Sequence, residues 1–209
     1  MAREKDADSA ATVTRILEAA SELLETEPLE RFSVRGVARV SRLSVGTIAY
    51  YFKNREELLE ACLDDYHRRV AELAKHHMER VPAGESPERV LEDATREFFR
   101  FGRKHRTLVR LQLSRTALSG GLSAQRLQGE VAFHKQFMRV AEIGGRRLAL
   151  DLQTVVFAGV RYACASSDEL CALVGASDEA EAESAMALYL GRCARRLLTA
   201  PDPAEEQAP

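Results

Sequence analysis

The stretch Phe32-Ser33-Val34-Arg35-Gly36-Val37-Ala38-Arg39-Val40-Ser41-Arg42-Leu43-Ser44-Val45-Gly46-Thr47-Ile48-Ala49-Tyr50-Tyr51-Phe52-Lys53-Asn54-Arg55 decides how this chain folds. It holds two short helical patterns, Ser33 to Val40 and Ser44 to Tyr51, each opening on a serine whose hydroxyl is suited to accept from a free N–H of the first turn. Only Ser41-Arg42-Leu43 separates them. Two helices joined this tightly form a helix-turn-helix when a small residue lets them cross and an apolar one anchors the second. Ala38 meets the first requirement and Ile48 the second. Ser44, Gly46 and Thr47 place small or hydrogen-bonding groups at the start of the second helix.

Charge marks the same stretch. From Arg31 to Arg55 there are six basic residues (Arg31, Arg35, Arg39, Arg42, Lys53, Arg55) and no acidic one, whereas the 209-residue chain carries a formal −2, leaving −8 elsewhere. A cationic footprint on an otherwise anionic molecule suits a phosphate backbone, because each cation placed at a phosphate releases condensed counterions. The pattern Arg31, Arg35, Arg39, Arg42 before the second helix, and Lys53, Arg55 after it, reads as a phosphate clamp around an uncharged reading head.

Outward from this stretch, the composition favours an all-α protein: Ala, Leu, Arg and Glu dominate and β-branched or aromatic runs are few. About nine helices are expected. The first carries Ile16, Ala20, Leu23 and Leu24 on one face and stops at Glu27-Pro28. A long helix starts near Arg55, with Leu59, Cys62, Leu63, Tyr66, Val70 and Leu73 as its buried face, and fades at Val81-Pro82-Ala83-Gly84. Ser86-Pro87 starts the next with an N-cap and a first-position proline, followed by Leu91, Ala94, Phe98 and Phe101. A shorter helix spans about Leu108 to Leu118. Another, after Ser123, carries Leu127, Val131, Phe133, Phe137 and Met138. The two most apolar run from Asp151 to about Ala165 and from about Glu179 to Leu198. The expected organisation is a flexible arm at 1–11, a three-helix helix-turn-helix domain at 12–54, a second helical domain at 55–198 and a disordered tail at 199–209.

Several functional classes find no support. No stretch approaches the roughly 18 uncharged apolar residues of a membrane span, and no apolar segment follows the N-terminus as in a secretory signal, so a cytoplasmic protein is expected. The four cysteines lack ligand spacing, and His76-His77 point about 100° apart on a helix; no metal or cofactor is expected. No nucleophile–base pair or phosphate loop argues for an enzyme, so no catalytic residue is assigned.

Three segments in order, Arg15 to Ala20, Phe32 to Ala38, and Ser44 to Leu58, closely resemble the N-terminal domain of TetR-family transcriptional regulators over about residues 12 to 63. The resemblance implies a ligand-responsive DNA-binding regulator, most simply a repressor released by a small effector. Its partner is a double-stranded, pseudo-palindromic operator whose successive major grooves, about 34 Å apart, take the two recognition helices of a homodimer. By resemblance the helix from Ser44 reads DNA, Thr47 and Tyr50 occupy DNA-contacting positions, Tyr51-Phe52 enter the small core, and Lys53 contacts the backbone. Ser33 and Arg35, at the N-terminus of the preceding helix, suit a phosphate. Three positions depart from the family pattern. Arg42 replaces the usual turn glycine, where a left-handed conformation costs roughly 1–2 kcal/mol. Val45 replaces a polar residue and suits a thymine methyl. Ala49 replaces an aromatic and removes a hydroxyl. These departures support the alternative of a helical protein-interaction module with a lapsed helix-turn-helix.

In the second half the resemblance implies an effector pocket among the helices carrying Phe98, Phe101, Phe133, Phe137 and Phe157, with Arg161 and Tyr162 as the polar groups orienting a largely apolar small molecule. Ordinary core packing is the competing assignment for these phenylalanines. The two most apolar helices, with Gly159 and Gly191 permitting close approach, are expected to form a four-helix homodimer interface; burial within one subunit is the alternative.

Overall fold

The computed structural model describes residues 2–119, 135–143, 146–166 and 168–199. Its helices are α1 (Ala2–Thr26), α2 (Val34–Ser41), α3 (Val45–Tyr51), α4 (Arg55–Met78), α5 (Pro87–Lys104) and α6 (Arg106–Ser119). The described part of α7 covers 135–140. α8 joins Arg146–Asp151, Leu152–Gly159 and Val160–Ala165; α9 (Asp168–Val174) and α10 (Glu179–Thr199) follow. No strand occurs among the described residues, so the chain is all-α.

Local signals explain most boundaries. The Ser33 hydroxyl accepts from Gly36 N, Ser44 from Thr47 N and Asn54 from Glu57 N, each satisfying one orphan donor of a helix start. Ser86 and Pro87 begin α5 as expected. α1 differs from expectation. It begins at Ala2, so residues 2–11, read as a flexible arm, are its first turns. That segment lacks an apolar face but is rich in Ala, Glu, Lys and Arg and free of Gly and Pro, which is sufficient for helix next to an anchored continuation. α9 was not anticipated. The expected helix positions from Ser123 to Phe133, including Leu127 and Val131, and the tail from 200 onward lie outside the described residues.

Two apolar cores form. The first packs Ile16, Ala20, Leu23 and Leu24 of α1 against Val37 and Ala38 of α2, Ile48 of α3 and Phe52. Leu58, Leu59, Cys62 and Leu63 complete it, so the opening turns of α4 belong to this core and it does not divide at residue 54. Leu108 of α6 also enters it, welding the two halves. Gly36 lets α2 lie against α1: a Cβ there would sit 2.9 Å from Leu23 Cδ2.

The second core centres on α5, whose Val90, Leu91, Ala94 and Phe99 pack with Leu152, Val156, Val160 and Cys164 of α8 and Ala187, Leu190 and Ala194 of α10. Gly191 serves this packing. Its Cα faces the Arg96 side chain and the Glu92 carbonyl of α5, a close approach used inside the subunit. Arg103, almost wholly buried, ties α5 to α10 through Glu179 (2.5 Å) and Glu183 (2.8 Å) and donates to the carbonyls of Cys164 and Ser166. All four cysteines are free thiols, and burial pushes those of Cys62 and Cys164 up to about 12, as befits core residues.

Among the described residues one segment, Leu148–Ala165, is long and apolar enough to cross a membrane by length and composition, with mean hydropathy 1.3. The sequence reading missed it because Asp151 and Arg161 interrupt the run. Leu152, Val156, Val160, Ala163 and Cys164 are buried in the second core, whereas Leu150 and Tyr162 are exposed.

Candidate nucleic-acid interface

α3 is held by one face only. Ile48 is fully buried, Tyr51 is half-buried and Phe52 closes the core behind it. Val45, Gly46, Ala49 and Tyr50 face solvent, with Tyr50 82% exposed. Tyr50 does not pack on α4; its ring meets Tyr51 edge-on at 5.1 Å. No charged residue lies between Val45 and Tyr51. The exposed face of α3 is a short, uncharged surface with a valine methyl pair at its start and a phenol at its end.

The N-terminus of α3 is tightly organised. Ser44 Oγ accepts from Thr47 N at 2.9 Å and lies 2.8 Å from Thr47 Oγ1. The two hydroxyls share one proton-donating contact, which fixes the Thr47 rotamer and leaves the other hydroxyl proton to an external acceptor. The turn before it answers the question raised by Arg42. This residue sits at φ 56°, ψ 32°, in the left-handed region, and its N–H bonds Ala38 O while Leu43 N also reaches Ala38 O. The turn thus keeps the shape that glycine would favour, with an arginine in it.

Around α3 the cations divide into two groups. Arg31, Arg35, Arg42 and Lys53 are exposed and make no side-chain ion pair or hydrogen bond among the described residues. Arg35 lies in the first turn of α2, whose N-cap is Ser33. Lys53 precedes α4; its N–H donates to Glu57 Oε2 at 2.8 Å while its side chain projects outward. Arg39 is exposed and meets Glu27 at 3.6 Å, a surface pair of little strength. Arg55 does not belong to a phosphate clamp. Its Nε donates to Phe32 O at 3.0 Å and Nη2 to Leu29 O at 2.9 Å, and its guanidinium lies over the Phe32 ring. It fastens the turn Leu29–Arg31 to the start of α4 and is structural.

The residues expected to line an effector pocket are not gathered in one place. Phe98 and Phe137 are buried in the second core, and Phe157, half-buried, lies 6.4 Å from Phe98. Phe101 stacks instead on Tyr66 at 5.4 Å and meets His105 at 4.5 Å, facing α4. Phe133 lies outside the described residues. Arg161 is half-buried, and burial lowers its pKa against the pull of Tyr66. Tyr162 is 63% exposed and points to solvent rather than inward. The π-helical turn from Leu152 to Gly159 widens the helix just before these two residues, so a plain 3.6-residue count misjudges which of them faces the core.

Residues 16–62 match the sequence model of bacterial regulatory proteins, tetR family. An uncharacterised HTH-type transcriptional regulator from Xanthobacter autotrophicus, in the dhlA 5' region, is 40% identical over 67 residues, covering 32% of this chain and 33% of that relative. A TetR family transcription regulator from Marinobacter aquaeolei VT8 shares the fold with a TM-score of 0.62 at 17% identity, over 94% of this chain and 98% of that one. A TetR transcriptional regulator from Rhodococcus sp. RHA1 superposes with a TM-score of 0.55 at 21% identity, over 93% and 100%.

Proposed function

We propose that this chain, a TetR-family transcriptional regulator by the sequence of residues 16–62 and by its fold, is a cytoplasmic repressor that two copies carry onto a pseudo-palindromic operator. A small effector releases it. The observation that carries the DNA-reading half is the surface of α3: an exposed, uncharged face bordered by the exposed cations Arg35, Arg42 and Lys53. Phosphate contacts from these cations and from the Ser33-capped end of α2 set register. Sequence is then read by Val45 against a thymine methyl, by Thr47 and Ser44 through the remaining hydroxyl proton, and by Tyr50. Electrophoretic mobility shift with the protein's own upstream region tests this assignment. Lys53→Ala is expected to weaken binding to all duplexes alike, and Thr47→Ala to relax discrimination at particular base pairs. Unchanged shifts in both variants refute the docking.

The dimer rests on exposed apolar side chains of the C-terminal helices: Leu150 and Tyr162 on α8, and Leu188 and Tyr189 on α10. Their burial against the same face of a second copy makes an isologous interface. Sedimentation showing a monomer at all concentrations contradicts it. α4 runs from the first core into the second half without interruption. An effector that binds one tilt of α4 more tightly than another shifts the spacing of the two reading heads, and only that differential affinity drives release.

A further inference from the structure

An open groove of about 630 Å³ lies between α4 and α5, within the size range of small-molecule sites. Its apolar surface comes from Leu73 of α4 and Phe101 of α5. The charged side chains around it are of two kinds. The carboxylates are already engaged: Glu97 Oε2 lies 2.6 Å from His77 Nε2, and Asp93 Oδ2 lies 2.8 Å from Arg80 Nη2. His77 is buried, and Arg80 Nη1 lies 2.9 Å from its Nδ1. A guanidinium only donates, so Nδ1 is the acceptor and the ring proton sits on Nε2, facing Glu97. Both acids are thus held by donors of the groove itself. Of the cations, Arg80 is paired with Glu85 and Asp93 and Arg96 with Glu92 and Asp93, whereas Arg100 and Lys104 are less committed. Arg100 is exposed and makes no side-chain hydrogen bond or ion pair among the described residues. Lys104 is 63% exposed, with Glu25 no nearer than 3.9 Å.

We propose that this groove is the effector site and that its ligand is a small amphipathic organic anion, a carboxylate on an apolar or aromatic body. The inference rests on the ligand-responsive reading above and replaces the largely apolar effector expected from sequence. The body lies on Leu73 and Phe101, and the carboxylate takes Arg100 and Lys104. A neutral ligand leaves Arg100 unpaired, and a cationic one meets the like charges of Arg100 and Lys104. Because the walls belong to two helices, occupancy fixes α4 relative to α5, and α4 begins beside Lys53 at the DNA surface.

Isothermal titration of the full-length protein with naphthoate, its primary amide and naphthylmethylammonium tests the charge preference on one ring system. The anion is expected to bind at least about tenfold more tightly than the amide, the worth of one charge-assisted hydrogen bond, and the ammonium most weakly. Arg100→Gln removes that preference while leaving amide affinity unchanged; Lys104→Gln, also at an exposed site, serves as the second variant. Equal affinities for the three probes, no binding of naphthoate, or indifference to both substitutions overturns the proposal. Fluorescence anisotropy on operator DNA separates the two levels. DNA binding that naphthoate lowers in the wild type but not in Arg100→Gln supports the groove. DNA binding that naphthoate leaves untouched refutes the groove and spares the regulator; loss of DNA binding altogether refutes the regulator, while titration still judges the groove.

Discussion

Replacing Arg42 by glycine should make the protein more stable and a worse DNA binder at once. Arg42 holds φ 56°, ψ 32°, a conformation that costs a non-glycine residue roughly 1–2 kcal/mol. Glycine removes that cost but returns about 0.4–1 kcal/mol of backbone freedom to the unfolded chain. The net is a stabilisation of about 0–1.5 kcal/mol. For a chain of this size that raises the unfolding midpoint by up to about 6 °C, at roughly 2–4 °C per kcal/mol. Its exposed guanidinium has no protein partner among the described residues to lose, so no compensating penalty arises. On DNA the same change deletes one phosphate contact per subunit, two per dimer, and the slope of log K against log salt becomes shallower by about 1.8. Thermal unfolding and a salt titration by fluorescence anisotropy on one operator read the two effects independently. A less stable Arg42→Gly shows that the arginine supports the turn, and an unchanged salt slope shows that it touches no phosphate; either result refutes the reasoning.

Three further outcomes follow from the packing. Ile48→Ala empties a fully buried anchor of α3 and should cost about 2–5 kcal/mol in urea unfolding, with DNA affinity falling at temperatures where the fold persists; a loss below about 1 kcal/mol contradicts its anchoring role. Arg103→Met takes their shared donor from Glu183 and from the carbonyls of Cys164 and Ser166, while Glu179 keeps Arg106, and should cost about 1–3 kcal/mol, read by the same unfolding measurement. His105, buried beside Arg69 and Lys104 with Glu25 Oε1 3.0 Å from its Nδ1, has its pKa pushed down to about 4, first by burial and then by those cations, against the opposing pull of Asp65. The native state keeps it neutral where the unfolded chain takes up a proton, so its contribution is full above about pH 6.5 and is lost as pH falls towards 4. Urea midpoints should therefore drop more between neutral pH and about pH 5 in the wild type than in His105→Gln; parallel drops contradict this.

The sequence was most legible where structure is decided locally. Ser33 and Ser44 cap the helices they precede, and Ser86-Pro87 starts α5, because a cap needs only its own first turn. The exposed face of α3 was readable for the same reason: with Ile48 buried, helical geometry sends Ala49 and Tyr50 elsewhere. The role of Arg55 was not readable. Its carbonyl acceptors lie 23 and 26 residues earlier in the chain, and a basic residue in a basic window gives no local sign of facing inward. The start of α1 escaped because apolar periodicity reports burial, whereas Ala2 to Ala11 need only helix propensity. The exposure of Tyr162 was not readable, because the π-helical turn ahead of it changes the angular count without a residue-type signature. The charged groove is a product of α4 lying against α5, since His77 and Glu97, or Arg80 and Asp93, acquire meaning only as pairs.

The central question is whether the uncharged face of α3, bordered by Arg35, Arg42 and Lys53, recognises sequence. Its most direct test is the affinity of the wild-type protein for its own upstream duplex and for a scrambled duplex of equal length, each measured across a range of salt. The account predicts that both affinities fall steeply with salt, through Arg35, Arg42 and Lys53, while the upstream duplex stays at least about a thousandfold tighter at every concentration. Binding that is salt-insensitive, or equal for the two duplexes throughout, contradicts it.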